Sequence, residues 1–70
     1  MEDKNRMKDL DAIDRRILAI LVADARIPLT ELARAVGLSK TPVAQRLKRL
    51  EETGIITGYR AILSPLKLGL

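Results

Sequence analysis

The run Val36-Gly37-Leu38-Ser39-Lys40-Thr41-Pro42-Val43 constrains the fold more than any other part of this 70-residue chain. Gly37 suits the position just past a helix end, where the backbone often needs a positive φ. Two residues later Ser39 is a natural N-cap, with a hydroxyl able to accept from an orphan backbone N–H. Pro42 falls in the first turn of the next helix, where its missing donor costs nothing. Val43, Leu47 and Leu50 then recur at helical spacing, and Gly54 closes the segment. The run therefore predicts a helix, a very tight turn and a second, capped helix over about 40–53. That outline is a helix-turn-helix, and it points towards DNA.

The helix before this motif is legible as well. Asp11 is an N-cap candidate preceded by the apolar Leu10. Leu10, Ile13, Ile17 and Leu21 form one apolar stripe, with Ile20 beside it. Leu18 and Val22 form a second pair on the neighbouring face, so the apolar surface is wider than one packing contact needs. Asp24-Ala25-Arg26 ends this helix, and Pro28 prevents its continuation. The middle helix then starts at Pro28 or Leu29 and runs to Val36. Leu32, Ala33 and Val36 face inward, Glu31 sits in the first turn where a carboxylate suits the helix dipole, and small Ala33 and Ala35 allow a close neighbour. Leu38 is expected to plug the space between the middle and third helices.

Behind Gly54 the pattern changes. Residues 55–63 are rich in β-branched side chains, and a strand is expected at about 58–63, with Gly58 at a bend and a short bridge near 55–57. Ser64-Pro65 breaks it. The expected fold is mainly α: a three-helix winged helix-turn-helix followed by a short C-terminal strand. Residues 1–9 read as a flexible arm, in which Lys4, Arg6 and Lys8 are more simply solvated than bound. Residues 10–63 form the domain, with the helix-turn-helix at about 29–48. The apolar end at 64–70 reads as the start of a hinge to a further domain.

Composition narrows the function. Thirteen Lys and Arg face nine Asp and Glu, a net charge of +4, which suits a polyanion and equally suits an ordinary basic surface. A single tyrosine argues against binding single strands by base stacking. With no histidine and no cysteine, neither a nucleophile triad nor a soft-metal site can be built. Asp9, Asp11 and Asp14 crowd together, but as N-terminal helix charges they suit the dipole better than a hard cation. No catalytic residue, cofactor or metal site is expected. No apolar run is long enough to span a bilayer, and the chain is expected to be cytoplasmic.

The face of the third helix opposite Val43, Leu47 and Leu50 holds Thr41, Gln45, Lys48, Arg49 and Glu52. Arg or Lys suits guanine and Gln suits adenine, so these are the right side chains for base edges in a major groove. The bland alternative is the polar outer face that most amphipathic helices have. The tight turn before it and four cations between Lys40 and Arg49 weigh against that. Arg46 sits at the edge of the apolar stripe. It suits DNA, and it equally suits snorkelling over Leu50 or pairing with an acidic residue.

The chain also resembles the Lrp/AsnC (leucine-responsive, feast-famine) regulators. The resemblance rests on Leu10-Asp-Ala-Ile-Asp-Arg-Arg-Ile-Leu18, Arg26-Ile27, Glu31-Leu32-Ala33, Val36-Gly37-Leu38-Ser39, Thr41-Pro42-Val43, Arg46-Leu47, Leu50-Glu51 and Gly54-Ile55-Ile56-Thr57-Gly58-Tyr59. It implies an N-terminal winged helix-turn-helix, linked through a strand to an αβ-sandwich domain that binds amino acids and assembles the protein. It places the family's DNA contacts at Ser39, Lys40, Thr41, Pro42, Gln45 and Arg46; Lys48 and Arg49 join them from the charge pattern. Implied partners are double-stranded DNA, a second copy in a homodimer or higher oligomer, and an amino-acid effector held by the other domain. Two features depart from the family pattern. Pro28 stands where relatives often carry Ser or Thr, and Ile20 and Val22 stand where they often carry polar residues. The rival reading is a winged-helix module for protein interaction or dimerisation, served by the wide apolar face of the first helix.

Overall fold

The computed structural model describes residues 10–69, and the expected arm at 1–9 lies outside them. Among the described residues three helices carry the fold: α1 (Ala12–Ala23), α2 (Leu29–Val36) and α3 (Lys40–Glu52); a fourth, α4 (Pro65–Leu68), is a single turn. Each of the first three starts and stops where local chemistry dictates. Asp11 caps α1, its Oδ1 accepting from the N–H of Asp14 at 2.8 Å. At the other end the N–H of Asp24 donates to Ile20, and the Asp24 carboxylate accepts from the N–H of Arg26.

Between α2 and α3 the chain turns as the sequence requires. Gly37 adopts φ 77°. Its N–H donates to Arg34 and that of Leu38 to Ala33, so two orphan carbonyls of α2 are satisfied by a Schellman turn. No atom lies within 4 Å of where a Cβ on Gly37 would sit, so the glycine answers a backbone demand and not a steric one. Pro28 and Ser39 hold the N-cap positions of α2 and α3. Neither makes a side-chain capping bond, so the hydroxyl capping expected of Ser39 is not formed.

Among the described residues six apolar side chains are buried: Leu10 and Ile17 from the first stripe, Leu32 and Ala33 from α2, Val43 and Leu50 from α3. Ile13, Leu18, Leu21, Val36, Leu38 and Leu47 pack half-buried around them, so the predicted inward faces meet in one core. Ala33 provides the close approach, whereas Ala35 is exposed. Ile55 and Ile56 close the far side. They are drawn in because Gly54 takes φ 81° and the N–H of Ile56 donates back to Leu50 at 3.0 Å.

The expected strand is the main departure. The described residues contain no strand, and neither the segment 58–63 nor the bridge near 55–57 forms one. A strand is stabilised by a ladder to a neighbour, and no such ladder forms among the described residues. Residues 57–69 are all exposed. Instead Tyr59 is tied back to α3, its hydroxyl donating to Glu51 Oε2 at 2.7 Å. Ser64-Pro65 does interrupt the chain, but by starting a helix: Ser64 Oγ accepts from the N–H of Lys67, Pro65 occupies the first turn, and Gly69 ends it at φ 82°.

Candidate nucleic-acid interface

The outer face of α3 is presented by the packing of its inner face. Val43 and Leu50 are fully buried against α1 and α2, which fixes the roll of the helix. Thr41, Gln45, Lys48, Arg49 and Glu52 are then all exposed, as are Ser39 and Lys40 at the amino end. Pro42 and Arg46 are half-buried along one border. Pro42, Gln45, Arg46 and Arg49 together line a shallow depression. The structure thus brings the eight predicted residues onto one end and one side of α3. Ser39, Lys40, Thr41, Gln45 and Lys48 make no side-chain hydrogen bond among the described residues.

Two of the eight are engaged by the protein itself. Arg46 Nη1 donates to both oxygens of Asp11, at 2.8 and 2.7 Å, and to Asp14 Oδ1 at 3.0 Å. Arg49 Nη2 donates to Asp14 Oδ2 at 3.2 Å. Asp14 is completely buried, and its two oxygens are satisfied by two different guanidinium groups. Of the two uses open to Arg46, pairing with an acidic residue is the one this geometry displays. Its side chain is 24% exposed, against 61% for that of Arg49, so the two arginines stand differently towards solvent. The pairing also sets charge states. The Arg46 hydrogen bond, followed by that from the N–H of Asp14, holds the Asp11 carboxyl below its ordinary 3.8. Bonds to Asp11 and Asp14 hold the Arg46 guanidinium still more firmly protonated.

The aspartate pair is the feature that sequence reasoning did not assign. Its signal was present. Asp11 and Asp14 are three apart on α1, Arg46 and Arg49 are three apart on α3, and two such pairs match when helices cross. The expected dipole role is also met, since Asp14 lies in the first turn of α1. On the opposite side, Leu18, Leu21, Val22, Ile55, Ile56 and Tyr59 border an apolar groove, with Val22 almost fully exposed.

Comparison with known proteins decides what this arrangement belongs to. A family model described as winged helix-turn-helix DNA-binding matches residues 10–57. The proline dehydrogenase transcriptional activator of Rhodobacter capsulatus is 71% identical over 65 residues, covering 91% of this chain and 42% of that protein. The leucine-responsive regulatory protein of Escherichia coli K12 is 55% identical over 58 residues, covering 83% and 35%. The AsnC family transcriptional regulator of Agrobacterium tumefaciens superposes with a TM-score of 0.79 at 42% identity, covering 84% of this chain and 39% of that one. This chain is a winged helix-turn-helix DNA-binding domain of the Lrp/AsnC family. It spans less than half the length of the curated relatives it matches. Those Lrp/AsnC relatives are transcriptional regulators and not enzymes, and the site on α3 has to be understood in that light. Among the described residues no helix is long and apolar enough to cross a membrane.

Proposed function

We propose that α3 is a recognition helix that enters the major groove of a specific double-stranded operator, in the cytoplasm, as part of an amino-acid-responsive transcription regulator. The observation that carries this is the exposed, uncommitted row Thr41, Gln45 and Lys48, held outward by the burial of Val43 and Leu50. Thr41, Pro42 and Gln45 meet base edges or a thymine methyl. Ser39, Lys40, Lys48 and Arg49 meet phosphates, which set register and most of the affinity. Arg46 serves chiefly by keeping α3 seated on α1. Glu51 and Glu52 crowd the carboxyl end of α3, where they repel phosphate, so the amino-terminal half is the part that penetrates.

Residues 10–63 are the DNA-binding unit, and 64–70 lead towards an effector-binding domain of the kind the family carries. The name of the leucine-responsive relative supports an amino-acid effector. A homodimer or higher oligomer presents two copies of α3 about one helical turn of DNA apart, roughly 34 Å. The apolar groove at half-buried Leu18 and exposed Val22 supports a protein contact beside the DNA contact, not in place of it.

The test is selection of an operator from a random-sequence library, followed by binding measurements on that duplex and on random DNA. Gln45→Ala is expected to relax discrimination at one base pair by about 1–3 kcal/mol. Lys48→Ala is expected to weaken binding to all sequences and to lower the salt slope by about 1. If neither change alters affinity or specificity, the recognition-helix assignment fails. If binding is insensitive to salt, the interaction-module reading takes its place.

A further inference from the structure

Asp14 is the one fully buried charged side chain among the described residues, and it lies directly beneath the candidate interface. It cannot touch DNA. Its Oδ1 is taken by Arg46, whose Nη1 is shared with Asp11, and its Oδ2 by Arg49. The two arginines are used differently. Arg46 is mostly covered and turned inward. Arg49 gives one nitrogen to Asp14 while its side chain stays 61% exposed, beside Gln45 and Pro42. A guanidinium is a planar fork with five donors, so one edge can hold a carboxylate while another holds a phosphate. An exposed arginine must ordinarily give up its rotamer freedom on binding. Arg49 has given up much of it already, to a buried anchor.

Resting on the DNA-binding reading above, we propose that Asp14 is a positioning residue of the interface: from inside the core it orients Arg49 on the outer face of α3, so that the guanidinium's outward edge meets a DNA phosphate. A carboxylate thereby strengthens the binding of a polyanion. Charge alone demands the reverse, since removing Asp14 raises the net charge by one and favours DNA.

The experiment measures affinity of the 70-residue chain for a mixed-sequence DNA duplex a few turns long, by fluorescence anisotropy over a range of salt, with folding checked by circular dichroism. Asp14→Asn is expected to weaken binding about fivefold, the size expected for releasing one ordered side chain. In an Arg49→Ala background the same change is expected to cause no loss, leaving at most the slight tightening that the added charge supplies. A purely structural role would leave its effect intact there, and a charge-only role would make Asp14→Asn bind more tightly; either result overturns the proposal. Should Asp14→Asn fail to fold, the exposed position decides. Arg49→Lys keeps the charge but cannot hold both partners, so it is expected to keep the wild-type salt slope and lose about the same fivefold. Lysine as good as arginine overturns the proposal. A wild-type chain that binds no duplex sinks the DNA-binding reading and this inference together. A wild-type chain that binds, with an Asp14 effect indifferent to Arg49, sinks this inference alone.

Discussion

Three residues show how local chemistry becomes global placement. Gly37 holds a positive φ with open space around it, so Gly37→Ala tests the backbone alone. It is expected to cost about 1–2 kcal/mol, read as a lowered Tm with an unchanged helical spectrum. Arg46 is the main cover of a buried carboxylate. Arg46→Met leaves Asp14 with Arg49 as its remaining charge partner and is expected to cost about 3 kcal/mol. A core of this size yields only about 3–5 kcal/mol, so that variant should be close to unfolding in a urea titration. Asp11 contributes to the pH dependence of stability in acid. Its carboxyl lies lower in the folded chain than its ordinary 3.8. The folded state therefore holds its proton less tightly than the unfolded state. The stabilisation is fully present above about 3.8 and is lost as pH falls through the folded value. Tm against pH is expected to drop below that point, and in Asp11→Asn this part of the drop should vanish.

At the scale of elements, legibility depended on how local the cause was. The ends of α1, α2 and α3 were readable because Asp11, Pro28, Gly37 and Gly54 each act within a few residues of themselves, and Ser39 holds its N-cap position without the capping bond. The inward faces were readable because helical periodicity is local as well. The segment 58–63 was not, because β-branched composition reports a preference for extended backbone, whereas a strand requires a partner lying elsewhere. The short α4 had a local signal in Ser64, Pro65 and Gly69, a cap, a first-turn proline and a terminating glycine, although Ser64-Pro65 alone reads equally as a strand break. Residues 60–69 are exposed and bonded only among themselves. Ending the chain after Arg60 is thus expected to leave Tm within about 2 °C, whereas Leu50→Ala, at a fully buried position, should cost about 2–5 kcal/mol. A large loss on truncation would show that residues beyond 60 hold the helices together.

Taken whole, the domain has a polar, cationic side on α3 and an apolar groove beside α1, linked through the Asp11–Asp14–Arg46–Arg49 cluster. The outward placement of Thr41, Gln45 and Lys48 on α3 was legible because they are the complement of the apolar stripe. The buried Asp14 was not, because its partners lie 32 and 35 positions away and become neighbours only when α3 crosses α1. That cluster ties the proposed recognition helix to the helix bearing the apolar groove at Leu18 and Val22, so the orientation of one depends on the seating of the other. Amide NMR spectra of the labelled chain, recorded while an operator duplex is added, report which side of the domain meets the DNA. Shifts concentrated on residues 39–49, with Leu18, Val22 and Ile55 undisturbed, are the predicted result. Shifts confined to the groove between α1 and residues 55–60, with Gln45 and Lys48 unmoved, would contradict it.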